Sequence, residues 1–164
     1  MKKRIALLLC LTMLICLLGG CSSPAGKPIT CKDLTLKLPG EFYDFSGESY
    51  AKEADFFYGR DKLIVMGMAE EKTILKKMTL EEYTELVIQG NKLQCVPRRL
   101  SNGYCFTYET PTSDGTYYIY TVATFESGTR FWILQLYCPS DDYPERQKMI
   151  VEILESVRVT GMAG

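Results

Sequence analysis

Between residues 92 and 138, four aromatic and β-branched runs are separated by three turn pairs: Asn102-Gly103, Asp114-Gly115 and Ser127-Gly128. Asn, Asp and Gly reach the positive φ angles that tight hairpins need. The pattern therefore predicts an antiparallel meander with strands near 92–101, 104–111, 116–126 and 129–138. Taking each pair as a two-residue loop sets Tyr104 opposite Ser101, Ile119 opposite Thr110 and Phe125 opposite Arg130. One face then carries Tyr104, Phe106, Tyr108, Ile119, Ala123, Phe125, Trp132, Leu134 and Leu136. The other carries Tyr118, Tyr120, Val122, Phe131, Ile133 and Tyr137, beside Thr107, Glu109 and Gln135. A sheet wet on one side shows a polar outer face. Both faces here are apolar, so the sheet must be covered above and below.

The rest of the chain supplies covers. Thr79 opens a helix through a capping box with Glu82, and Gly90-Asn91 closes it. A second helix runs from about Asp142 to Val157, with Pro144 in its first turn and Ile150, Ile153, Leu154 and Val157 on one stripe. Leu34, Leu36 and Leu38 alternate within a strand over 32–38 that Pro39-Gly40 ends. Strands over 54–58 and 62–69 are joined at Gly59-Arg60-Asp61, and the segment from Phe42 to Tyr50 is a further cover. The fold class is α+β: an antiparallel sheet of about six or seven strands in an α/β/α sandwich.

The first 30 residues belong to a different regime. Lys2, Lys3 and Arg4 precede an uncharged run, Ile5 to Leu18, that is too short to span a bilayer as a helix. Leu18-Gly19-Gly20-Cys21 follows, the pattern of a bacterial lipoprotein signal. Residues 1–20 are then a signal peptide, and Cys21 carries diacylglyceryl and fatty acyl chains such as palmitate. An ordinary secretory signal cut near Ala25 is the alternative. A single acyl chain holds a protein only marginally, whereas two or three on one cysteine anchor it stably. Residues 21–30 read as anchor and tether, and 31–160 as one domain. The expected location is extracytoplasmic, on the cell membrane or, in a Gram-negative cell, the outer membrane.

The leader holds three of the 19 basic residues and none of the 20 acidic ones, leaving 16 against 20, a mature net charge of −4. A mildly acidic surface without a Lys/Arg block argues against nucleic acid as a partner. Histidine is absent, which excludes His-based triads, His general bases and His metal ligands. No nucleophile motif replaces them, so an enzyme is not expected and no cofactor or metal is implied.

The order of landmarks resembles the PsbP-like family, including its DcrB-like bacterial lipoproteins. They are the strand ending in Leu38-Pro39-Gly40, the helix start Thr79-Leu80-Glu81-Glu82-Tyr83 and the Asn102-Gly103 hairpin. The aromatic meander of 104–137 and the closing helix through Ser156-Val157 complete them. The resemblance spans 31 to about 160. It implies an α/β/α sandwich and a non-enzymatic role that binds or supports an envelope protein.

Cys31, Cys95, Cys105 and Cys138 are candidate disulfide partners or free thiols. The register places Cys105 opposite Thr124 and then Phe131, about 23 Å along the sheet from Cys138 at ~3.3 Å per residue. Cys95, opposite Thr110, points to the other face from Cys105. Buried free thiols, or one bridge involving Cys31, remain. Tyr117, Tyr118, Tyr120, Phe131, Trp132 and Tyr137 are core packing, or a partner surface, or an aromatic cleft for a sugar, peptide or lipid. Of these, Tyr118, Tyr120, Phe131 and Tyr137 share one face and are the candidate surface. Glu70-Glu71, Glu81-Glu82 and Asp141-Asp142 read as solvated acids, the last two pairs favoured at helix starts by the dipole. Lys76-Lys77 and Arg98-Arg99 read as ordinary surface.

Overall fold

The computed structural model describes residues 26–73, 75 and 77–161. The expected leader, Cys21 and the tether as far as Ala25 lie outside them. In chain order come β1 (Lys27–Cys31), β2 (Leu34–Leu38), β3 (Tyr43–Asp44), β4 (Phe56–Arg60), β5 (Leu63–Glu71) and helix α1 (Leu80–Gly90). They are followed by β6 (Arg98–Arg99), β7 (Gly103–Pro111), β8 (Tyr117–Glu126), β9 (Arg130–Pro139), helix α2 (Tyr143–Ser156) and β10 (Arg158–Val159). Seven strands form one antiparallel sheet in the order β3-β4-β5-β9-β8-β7-β6, and β1-β2-β10 form a second, three-stranded one.

Local chemistry starts helix α1. The Thr79 hydroxyl accepts from the Glu82 amide while the Glu82 carboxylate accepts from the Thr79 amide, completing the expected box. The box leaves Tyr83, Thr84 and Ile88 facing inward. Helix α1 ends with Lys92 at φ 55°, where the Leu93 amide reaches back to the Ile88 carbonyl. That exit corrects the strand expected over 92–101. Only Arg98 and Arg99 enter the ladder, and Pro97 has no N–H to extend it. Another correction concerns the tether. Residues 27–31 form edge strand β1 on β2, with Pro28 tolerated at an edge.

The two faces of the large sheet differ from the expected pair by one shift of register. Five residues, Thr112–Thr116, separate Pro111 from its partner Tyr117, not an even-numbered loop. The loop is closed by the Thr112 amide on the Thr116 carbonyl, and by Asp114 accepting from the Thr112 hydroxyl and the Thr116 amide. Gly115 takes φ 85° there, a conformation that suits glycine. An odd loop turns the preceding strand over. Thr110 therefore faces Tyr118 rather than Ile119, and Tyr104, Phe106 and Tyr108 move to the face of Tyr118, Tyr120 and Tyr137. Thr107 and Glu109 move the opposite way. The last hairpin keeps its parity, because Phe125 pairs with Trp132 instead of Arg130, a shift of two.

Each face carries its own core. On one, Trp132, Leu134, Leu136, Phe125 and Val65 meet α2 through Ile150, Ile153 and Leu154, and meet β2 through Leu34, Leu36 and Leu38. The second sheet is thus a cover, and Asp33 at its hairpin turn ties it down. The Trp132 indole N–H donates to Asp33 Oδ1 at 2.8 Å, and Ser127 Oγ and Arg130 Nη1 donate to Oδ2. On the other face, Tyr83 stacks on Phe131 with centroids 4.4 Å apart, beside Phe106, Val122 and Ile133. The Thr84 hydroxyl donates to the Leu80 carbonyl, so it accepts from Thr124 across the interface at 2.6 Å. Within the expected cover 42–50, Phe42 packs on the Trp132 core and Tyr50 lies edge-on to Phe57 at 5.6 Å.

Candidate functional site

Register builds the principal site. Tyr108, Tyr120 and Tyr137 occupy directly opposed positions on β7, β8 and β9, and Ile64 on β5 continues the row. Opposed side chains on neighbouring strands are close enough to stack. Tyr108 and Tyr120 lie 5.1 Å apart and within 4° of parallel, Tyr120 and Tyr137 4.7 Å apart at 22°. Tyr118, two residues along β8, tilts against Tyr137 at 6.3 Å and 60°. Tyr108 and Tyr120 rest against the rim of the α1 core, while Tyr118 and Tyr137 lie beyond it. All four rings are half-buried, and Tyr50 nearby is 65% exposed.

Proton chemistry keeps Tyr108, Tyr120 and Tyr137 neutral. Burial, then the neighbouring Tyr120, Tyr118 and Tyr50, push the Tyr137 hydroxyl up to about 12. Burial also raises Tyr108 and Tyr120, with a neighbouring phenol adding to each. A neutral phenol both donates and accepts, and its ring offers a flat apolar face. The row is therefore an amphipathic surface: aromatic faces with a hydroxyl on every ring.

Not every expected member joins it. Phe131 is fully buried beneath Tyr83 and is a core residue, so the candidate surface loses it. Tyr108, assigned to the opposite face by the even loop, and Tyr50, read only as a cover, take its place. Tyr83 is 1% exposed, its hydroxyl has no hydrogen-bond partner among the described residues, and burial with nearby Glu70 raises it far above a phenol's usual range.

The four cysteines are free and dispersed. Cys105 sits opposite Ala123, not Thr124, and so shares the Trp132 face with Cys138. Cys95 lies outside the ladder, against the α1 core, rather than opposite Thr110. Cys31 lies 3.7 Å from the Asp55 carbonyl, and burial followed by Asp55 raises its thiol. The paired acids serve local structure: Glu82 caps α1, Glu71 binds Arg130 and Asp142 binds Lys62. Among the described residues, no cluster of three or more Cys, Asp or Glu has a geometry that could hold a metal ion.

The fold places the chain beside known structures of low sequence identity. A protein from Bacteroides thetaiotaomicron matches with a TM-score of 0.58 and 11% identity over 82% of this chain, which spans about half (48%) of that structure. Mog1, solved as a point mutant, matches at 0.55 and 11% over 84% of this chain and 97% of its own. The cyanobacterial PsbP of Synechocystis sp. PCC 6803, CyanoP, matches at 0.52 and 10% over 86% and 96%. No family model matches the sequence. No curated protein matches it either. The architecture is PsbP-like, an α+β sandwich on an antiparallel sheet.

Proposed function

We propose that the chain is a membrane-anchored, extracytoplasmic lipoprotein of the DcrB-like kind. In this reading it is a non-enzymatic module whose tyrosine face docks a protein partner in the cell envelope. One observation carries the docking: three tyrosines in register on the central strands stay half-exposed where α1 ends its cover. Aromatic residues with a polar tip are enriched at protein interfaces. A row spread across three neighbouring strands suits a broad partner better than an enclosed small molecule. The anchor rests on the Leu18-Gly19-Gly20-Cys21 pattern behind its basic and apolar run. Gly26 lies five positions after Cys21, at most ~17 Å of extended chain, so the anchor holds the domain close to the bilayer.

Two experiments test the halves separately. A photo-crosslinking residue at position 118, on intact cells, should give an adduct of one defined mass that position 85 on α1 does not give. The adduct should vanish when Tyr120 and Tyr137 are changed to Ser. Equal adducts from 118 and 85, or an adduct indifferent to those changes, would reject the docking face. Cys21→Ser should leave the membrane fraction and lose fatty-acid labelling; a variant still bound and labelled rejects the anchor.

A further inference from the structure

A second site lies on the Trp132 side of the sheet, at its β6 edge, and depends on neither the lipid anchor nor the tyrosine face. Between α2 and strands β6–β8 is a cleft of about 270 Å³ whose polar lining includes Arg98, Thr121, Tyr143 and Gln147. Thr121 is the anomaly. Its neighbours on this face of β8, Ala123 and Phe125, are core, and it is only 5% exposed. Among the described residues its hydroxyl has one partner, the Tyr143 hydroxyl at 3.5 Å, the outer limit of a hydrogen bond. A buried hydroxyl so weakly satisfied costs stability unless something else completes it.

Arg98 stands at the mouth. Its place opposite Cys105 turns it toward this face, with Nη2 3.8 Å from the Cys105 sulfur. Among the described residues no carboxylate comes within ion-pair distance of it, although acids outnumber bases in the domain. A guanidinium without an anion is a bidentate fork for a carboxylate. Ile150, Val151 and Leu154 give the α2 wall an apolar strip. At about 30 Å³ for each non-hydrogen atom, the cleft holds a molecule of roughly nine.

We infer that this cleft binds a small monocarboxylate with a short apolar stem. Arg98 takes the carboxylate at the mouth, the α2 strip takes the stem, and Thr121 with Tyr143 meets any polar group carried deeper. The test is a thermal-shift titration of the full chain in detergent micelles at constant ionic strength. The probes are phenylacetate, which is about the right size, and its neutral amide, phenylacetamide. Phenylacetate should raise Tm saturably and the amide should not. Arg98→Ala should weaken the response at least about tenfold and Arg98→Lys less, because Lys keeps the charge but loses the fork. Arg99→Ala should leave it intact, since Arg99 pairs with Tyr104 on the opposite face. No saturable shift, an equal shift from the amide, or an unchanged response in Arg98→Ala would each overturn the assignment.

Discussion

The two faces of one sheet have been finished differently. Around Trp132 one face is sealed by two covers, α2 and the β1-β2-β10 sheet, with Asp33 satisfying the polar groups there, and it opens only toward the β6 edge at the Arg98–Thr121 cleft. Among the described residues the tyrosine face is covered by α1 and its flanking segments, and beyond them the rings of Tyr118 and Tyr137 remain half in water. On β4 and β7–β9 the register turns eight aromatic side chains to the tyrosine face and five to the Trp132 face, so the presence of aromatic rings does not separate them. What separates them is how many elements the chain has left to lay over each. Burial makes one set of aromatics structural and leaves part of the other in water.

That contrast can be broken from either side. Trp132→Ala should cost most, about 3–5 kcal/mol, because it opens a cavity between two sheets and orphans Asp33. Urea unfolding with an unchanged m-value would measure it; a loss under about 1 kcal/mol would mean the face is not sealed as described. Asp33→Asn should cost less, about 2 kcal/mol, by weakening the bonds from Trp132, Ser127 and Arg130. Its pH dependence is the sharper readout. Burial opposes ionisation of Asp33, but bonds from Ser127 and Trp132, with Arg130 adding, hold the carboxyl below its usual value. A folded-state value below the unfolded one gives stability that is complete above the unfolded value, near pH 4, and lost as pH falls through the folded value. The native chain should therefore lose more stability than Asp33→Asn between about pH 4 and pH 2. Parallel acid limbs would contradict this.

Tyr118→Ser should have the smallest effect on folding, within about 0.5 kcal/mol, because it removes a half-exposed ring outside both cores. It should nevertheless weaken partner capture, read with the crosslinking residue at the exposed position 50 instead. Strong destabilisation would place the tyrosine row with the structural face and erase the distinction.

Much of this architecture was legible in the sequence because it is local. The capping box of Thr79 and Glu82 is written within four residues, and the doubly apolar strands demanded two covers before any cover was assigned. The site was less legible. Whether Tyr108 joins Tyr120 depends on a loop of odd length, and Asp114-Gly115 suits several turn geometries. The Thr112 and Asp114 hydrogen bonds that select five residues are a property of the folded turn. Likewise Cys105 changed faces with its strand, and Phe131 left the candidate surface once Tyr83 stacked on it.

By itself, the sequence determined the Leu18-Gly19-Gly20-Cys21 pattern behind an apolar run, the absence of histidine chemistry, the capping box of α1 and an apolar sheet. Each follows from residue type or from spacing within a few positions. Only the tertiary structure decided that β2 seals Trp132 through Asp33, that tyrosines from three strands form one row, and that Arg98 overlooks Thr121. Those outcomes rest on register and on contacts between residues as far apart as 33 and 132, and period-two alternation is blind to a shift of one.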